Sequence, residues 1–152
     1  MIQRIQSVYL LAVSIITALM FFFPFISATQ GITIYNYNFN GFQSLEGELV
    51  APVYTLCGLI VVCLLISFVS IFFYKKRVLQ IRLNVLNIIL FLFIYVVEIA
   101  FFFILKGELK ITNYSVQISS IFPTINIILT YLAIRAIGAD EALVKSLNRL
   151  RN

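Results

Sequence analysis

Residues 83–105 read LNVLNIILFLFIYVVEIAFFFIL, twenty-three residues in which the single formal charge is Glu98. A helix needs about 20 predominantly apolar residues to cross the hydrocarbon of a bilayer. A soluble helix alternates an apolar stripe with a polar face, and this stretch has no polar face. It reads as a membrane span, with Arg82 just before it and Lys106 just after it.

Three further stretches read the same way. The first runs from about residue 7 to 26, the second from about 51 to 74, and the fourth from about 114 to 137. Pro52 suits the first turn of the second helix, where a missing N–H costs nothing. Lys75, Lys76 and Arg77 stop that helix. The first stretch reads as a retained helix: it is long for the apolar core of a leader, and Ile26 spoils the cleavage pattern before Ala28. The whole chain, 1–152, reads as a single membrane domain.

Composition agrees. Of 152 residues, 62% are hydrophobic and 11% are charged, and mean hydropathy is +1.05. A soluble domain carries about a quarter charged residues. So few charges cannot clothe a small water-soluble surface. Cys57 and Cys63 fall within one apolar stretch, about 9 Å apart along a helix axis. They read as buried thiols that do not bridge each other.

Charge sets the expected orientation. With both termini in the cytoplasm, the inner face holds Arg4, Lys75, Lys76, Arg77, Arg82, Arg135, Lys145, Arg149 and Arg151. The outer face holds Lys106 and Lys110. This is the bias of a multi-pass protein obeying the positive-inside rule. It makes the net charge of +5 a topological signal rather than a nucleic-acid one.

The outer loop, 27–50, has no Lys or Arg. Ile32-Thr33-Ile34 and Tyr35-Asn36-Tyr37-Asn38-Phe39 alternate apolar with polar, and Asn40-Gly41 is a turn dipeptide. A short β-element is expected there. After Gly138, residues 139–151 read as an amphipathic cytoplasmic helix. Asp140 caps it, and Leu143, Leu147 and Leu150 lie at helical spacing. The expected fold is an all-α antiparallel four-helix membrane bundle with these two additions.

Candidate chemistry is sparse. The chain has no His, so the commonest general base and metal ligand is missing. No Ser–His arrangement, phosphate loop or metal-spaced Cys pair is present. No catalytic residue, cofactor or metal site is expected. Glu98 stands out because an acid within a span is a functional-site hypothesis by default. Thr124, Asn126 and Tyr95 are its expected hydrogen-bond partners. Three roles fit it: tying helices together, carrying a proton or ion, or meeting another subunit. Asn84, Asn87, Asn126 and Thr130 are expected to face the interior and bond between helices.

Met1-Ile2-Gln3-Arg4-Ile5-Gln6-Ser7-Val8-Tyr9-Leu10-Leu11 opens the chain. Tyr131-Leu132-Ala133-Ile134-Arg135-Ala136-Ile137, then Asp140-Glu141-Ala142-Leu143-Val144-Lys145-Ser146 and Arg149-Leu150-Arg151, close it. These two ends resemble a domain-of-unknown-function family of small bacterial four-helix inner-membrane proteins. Gly138-Ala139 departs from a pattern that usually holds a basic residue there. The resemblance implies a fold and a bacterial inner-membrane location, and no reaction.

Arg4, Arg135, Asp140, Glu141 and Arg149 fall on the expected cytoplasmic face. They are candidates for locking the first helix to the fourth, or for docking another protein. The expected function is a non-catalytic structural, assembly or accessory subunit of a larger inner-membrane complex. Its partners are the lipid bilayer and other membrane subunits, and no nucleic acid. The alternative is a small transporter or channel subunit that uses Glu98.

Overall fold

The computed structural model describes the backbone of residues 2–31, 33–44, 47–108, 111 and 113–150. Within these, the side chains of residues 2–4, 30, 50, 51, 75, 105, 108, 145 and 147–150 are outside the description. Four helices dominate: α1 (Ile2–Leu19), α2 (Tyr54–Phe72), α3 (Arg77–Glu108) and α4 (Phe122–Leu150). Five short strands accompany them: β1 (Ile26–Gln30), β2 (Thr33–Asn38), β3 (Gly41–Ser44), β4 (Leu49–Pro52) and β5 (Asn113–Val116).

Cross-helix bonds fix the helix directions. Gln6 Nε2 donates to the Ala136 carbonyl over 3.1 Å, and Asn126 Nδ2 donates to Thr17 Oγ1 over 3.0 Å. Residue numbers rise along α1 as their partners fall along α4, so these helices are antiparallel. The same holds for α2 and α3, where Asn87 Nδ2 donates to Ser67 Oγ over 2.7 Å and Ser70 Oγ donates to Asn84 Oδ1 over 3.2 Å. Each helix packs against two others, α1 on α2 and α4, and α3 on α2 and α4.

The strands form one antiparallel sheet in the order β4-β3-β2-β1-β5. Four of them lie between α1 and α2, and β5 comes from the α3–α4 connection. The sheet therefore gathers the end of α1, the start of α2, the end of α3 and the start of α4. Its buried face presents Phe25, Ala28, Tyr37 and Phe42 to one continuous core with Val13, Ile60, Phe91 and Phe102. Tyr37 stacks on Phe42 with ring centres 4.8 Å apart. Gly31 and Gly41 adopt φ of 63° and 124°, left-handed values that a β-carbon disfavours, at the turns opening β2 and β3.

Several element boundaries differ from the expectation. The first helix ends at Leu19, not near residue 26, because Pro24 disfavours helical geometry in the residue before it, and Ile26 pairs with Tyr37. Pro52 ends the edge strand β4 and is not in the first turn of α2, and an edge is where a sheet tolerates proline. The third helix begins at Arg77 and spans 32 residues, so Arg82 lies inside it. The fourth helix begins at Phe122, not near residue 114: residues 113–116 pair with β1, and a 3-10 turn (Ile118–Ile121) follows. Among the described residues there is no separate C-terminal helix. α4 runs unbroken from Phe122 to Leu150, and Asp140 lies within it and caps nothing.

The surface is inverted relative to a soluble protein. Large apolar side chains such as Leu65, Phe68, Ile89, Leu92, Val96 and Ile128 are exposed. Asn84, Asn87, Asn126 and Thr130 are fully buried. Among the described residues, α2, α3 and the 118–144 stretch are long and apolar enough to cross a membrane. The apolar stretch Ile5–Leu19 is shorter.

Candidate functional site

Glu98 lies ten residues before the end of α3, just beneath the sheet. Its side chain is 4% exposed, and its Oε1 has no hydrogen-bond partner. It lines a cleft of about 310 Å³ with Ile26, Tyr95, Phe102, Tyr114 and Ser120. Ile26 and Tyr114 belong to neighbouring strands, so the β1–β5 pairing builds one wall of this cleft. Burying a carboxyl group with an unmet acceptor costs free energy unless something pairs with it.

The expected partners of Glu98 are engaged elsewhere. Tyr95 donates its hydroxyl to the Ser120 carbonyl over 2.6 Å and lies 2.7 Å from Thr124 Oγ1. The Thr124 amide donates to the same phenolic oxygen over 3.2 Å. Tyr95 and Thr124 thus clamp α3 to the start of α4. Asn126 turns its amide toward Thr17, on α1. One helical turn separates these residues' directions, and sequence distance alone does not reveal which neighbour each faces.

Tyr37 was not singled out as a site residue by sequence. It is buried in the sheet, and its hydroxyl has no hydrogen-bond partner. Burial pushes its phenol well above the usual value near 10, and the nearby Glu98 carboxyl group adds to the shift. Two unmet polar groups, one from β2 and one from α3, therefore lie close under the sheet. The strand alternation places Tyr37 on one face, and only the fold shows what that face meets.

Serines anchor the segment between β5 and α4. Ser120 Oγ donates to the Phe25 carbonyl over 2.6 Å, and Ser119 Oγ donates to the Pro24 carbonyl. Gln117 adds a backbone bond to Phe25, at 2.9 Å, and a side-chain bond to Ser27 Oγ, at 2.9 Å. This belt holds the cleft's wall against the end of α1.

The other end of the bundle holds an ion pair and a group of cations. Arg77 Nη2 lies 2.9 Å from Asp140 Oδ2, and the pair is largely shielded from solvent. Glu141 lines an open cleft of about 780 Å³ with Tyr74, Lys76, Arg77, Arg82 and Val144. Arg135 is exposed. The side chains of Arg4 and Arg149 lie outside the described residues. Gln6 makes the bond between α1 and α4 at this end.

α4 continues ten residues past Asp140, its partner at the first turn of α3. That is about 15 Å at 1.5 Å per residue. Leu143 and Val144 are exposed on this arm.

A family model described as a domain of unknown function (DUF4293) matches residues 2–150. No curated protein matches the chain.

Proposed function

The chain belongs to the DUF4293 family of domains of unknown function, and from that premise we propose a non-catalytic, four-span subunit of a larger complex in the bacterial inner membrane. The reading places both termini in the cytoplasm and the five-stranded sheet outside. Three long apolar helices support the spans. α1 is the fourth: it bonds to α4 from Ala136 to Asn126 and so shares that helix's depth. Lys76, Arg77, Arg82 and Arg135 all lie at the end opposite the sheet, as the positive-inside rule requires of a cytoplasmic face.

The observation that carries the subunit reading is the arm. Beyond Asp140, α4 runs on for ten residues and exposes Leu143 and Val144, the latter beside the cleft lined by Arg77 and Arg82. A helix segment with apolar residues outward gains by packing them into a partner's groove. The cations beside it, Lys76 and Arg82, favour an acidic partner surface.

The test is purification of the tagged chain from its native membrane in a mild detergent, beside Leu143→Asp and Val144→Asp. A stoichiometric membrane partner that is lost from both variants, while their helix content is unchanged, supports the reading. A chain that purifies alone, with the same size for wild type and variants, overturns it.

A further inference from the structure

We propose that the cleft at Glu98 binds the primary-ammonium head of an amphiphile that enters from the side of the bundle, between α3 and β5. Among the described residues lining the cleft, Glu98 carries the only carboxyl group and is the most deeply buried. Ile99, Phe103, Tyr114 and Val116 line the same cleft and are 53–65% exposed. The cleft thus has an acidic floor and an apolar, outward-facing mouth.

A charge at the floor needs a counter-charge, because a buried carboxylate is costly alone. Among the described residues no salt bridge reaches Glu98, the Tyr95 hydroxyl is bonded to Ser120 and Thr124, and the Tyr37 hydroxyl makes no hydrogen bond to it. An incoming ammonium supplies both the charge and three N–H donors, one of them for the unmet Oε1. The aromatic walls suit the same group, because ring faces attract cations. Tyr114 already does so for the chain's own Lys106, whose ammonium lies 4.8 Å from the ring centre.

Lys106 adds a second recognition element. It follows Glu98 by eight residues on α3, about 12 Å nearer the helix end. A head with its ammonium at Glu98 and a phosphate toward Lys106 meets opposite charges in the right order. An aminophospholipid carries both charges in its head, and the exposed Ile99 and Phe103 at the mouth offer apolar surface to its acyl chains. The volume of about 310 Å³ is at the lower end of small-molecule sites and fits a head group rather than a whole lipid. The inference does not depend on any protein partner, because the cleft is at the opposite end of the bundle from the arm.

The experiment is native mass spectrometry of the full chain in mild detergent, titrated with dilauroyl phosphatidylethanolamine, dilauroyl phosphatidylglycerol or phosphoethanolamine. Wild type is expected to prefer the ethanolamine lipid to the glycerol lipid. Glu98→Gln should weaken the ethanolamine lipid on the order of tenfold or more and leave the glycerol lipid unchanged. Val116→Trp fills the mouth while keeping Glu98, and should weaken the ethanolamine lipid as well. It answers the question if Glu98→Gln is not monodisperse. Phosphoethanolamine binding as tightly as the lipid would keep the ammonium site and assign it to a free amine. Equal binding of both lipids by wild type, or undiminished ethanolamine-lipid binding in the variants, overturns the proposal.

Discussion

Arg77 and Asp140 join the first turn of α3 to α4 through a 2.9 Å ion pair, with Arg77 Nη1 also donating to the Asp140 carbonyl over 3.4 Å. A cation in the first turn of a helix opposes the helix dipole. Asp140 offsets this from the neighbouring helix. Asp140→Asn should therefore lower stability by about 1 kcal/mol, within the range of partly shielded pairs. Arg77→Asp should cost more, and Arg77→Asp with Asp140→Arg should recover part of the loss. Thermal unfolding in detergent across this cycle measures the coupling, and strictly additive effects would remove the pair from the account.

Thr17 and Asn126 form the contact that ties α1 to α4 in the middle of the bundle. Thr17→Val leaves the buried amide of Asn126 unmet and should cost about 1–2 kcal/mol. Asn126→Leu in the same background should cost less than it does alone, because the unmet donor leaves with it. Unfolding curves of the two single variants and the double variant decide this.

Tyr95→Phe removes the hydroxyl that holds Ser120 and Thr124 to α3. The expected loss is about 1–2 kcal/mol. The local sign should be faster hydrogen exchange in residues 118–124, with exchange in α2 unchanged. Uniform acceleration throughout would mean that the bond supports the whole fold rather than this joint.

Tyr37 gives a pH prediction. Its phenol is raised above the unfolded value near 10, first by burial and then by Glu98. The unfolded chain then ionises this group before the folded one does. Its contribution is fully present below about pH 10 and is lost as pH rises beyond that. Tyr37→Phe should remove this part of the alkaline loss. At neutral pH it should be close to neutral, because the hydroxyl has no hydrogen-bond partner to lose.

Much of this architecture was legible in the sequence, because hydropathy reports a local property. The apolar runs mark α2, α3 and most of α4, and the alternation at Thr33–Asn38 marks β2. What sequence missed was set by distant pairing. The expected fourth helix starts near residue 114, but Asn113-Tyr114-Ser115-Val116 alternates polar with apolar and bonds to β1 as a strand. Pro123, at the second position of α4, was the signal for the true helix start. Gly138 suggested a break, yet a helical glycine costs only about 1 kcal/mol, and the helix continues.

The candidate site was less legible than the fold. Glu98 was visible as an acid in an apolar run. Its setting was not, because the wall around it comes from Ile26, far earlier in the chain, and from Tyr114 and Val116, on a strand beyond the end of α3. Tyr37 and Glu98 share no motif, and only the closure of the sheet over α3 brings them near each other. Arg77 read as a stop signal for α2, and its partnership with Asp140 spans 63 residues of chain.

The pairing of β1 with β5 also sets an order of events during synthesis. Strands β1 to β4 are local hairpins and can zip as soon as they leave the ribosome's reach. The other edge of β1 must wait for Ser115, whose hydroxyl donates to the Ser27 carbonyl 88 residues upstream. Until Asn113–Val116 has been made, β1 remains an open edge, a ready template for any stray strand. The nascent protein is thus most exposed to mispairing while its third helix is being translated, and β5 ends that window.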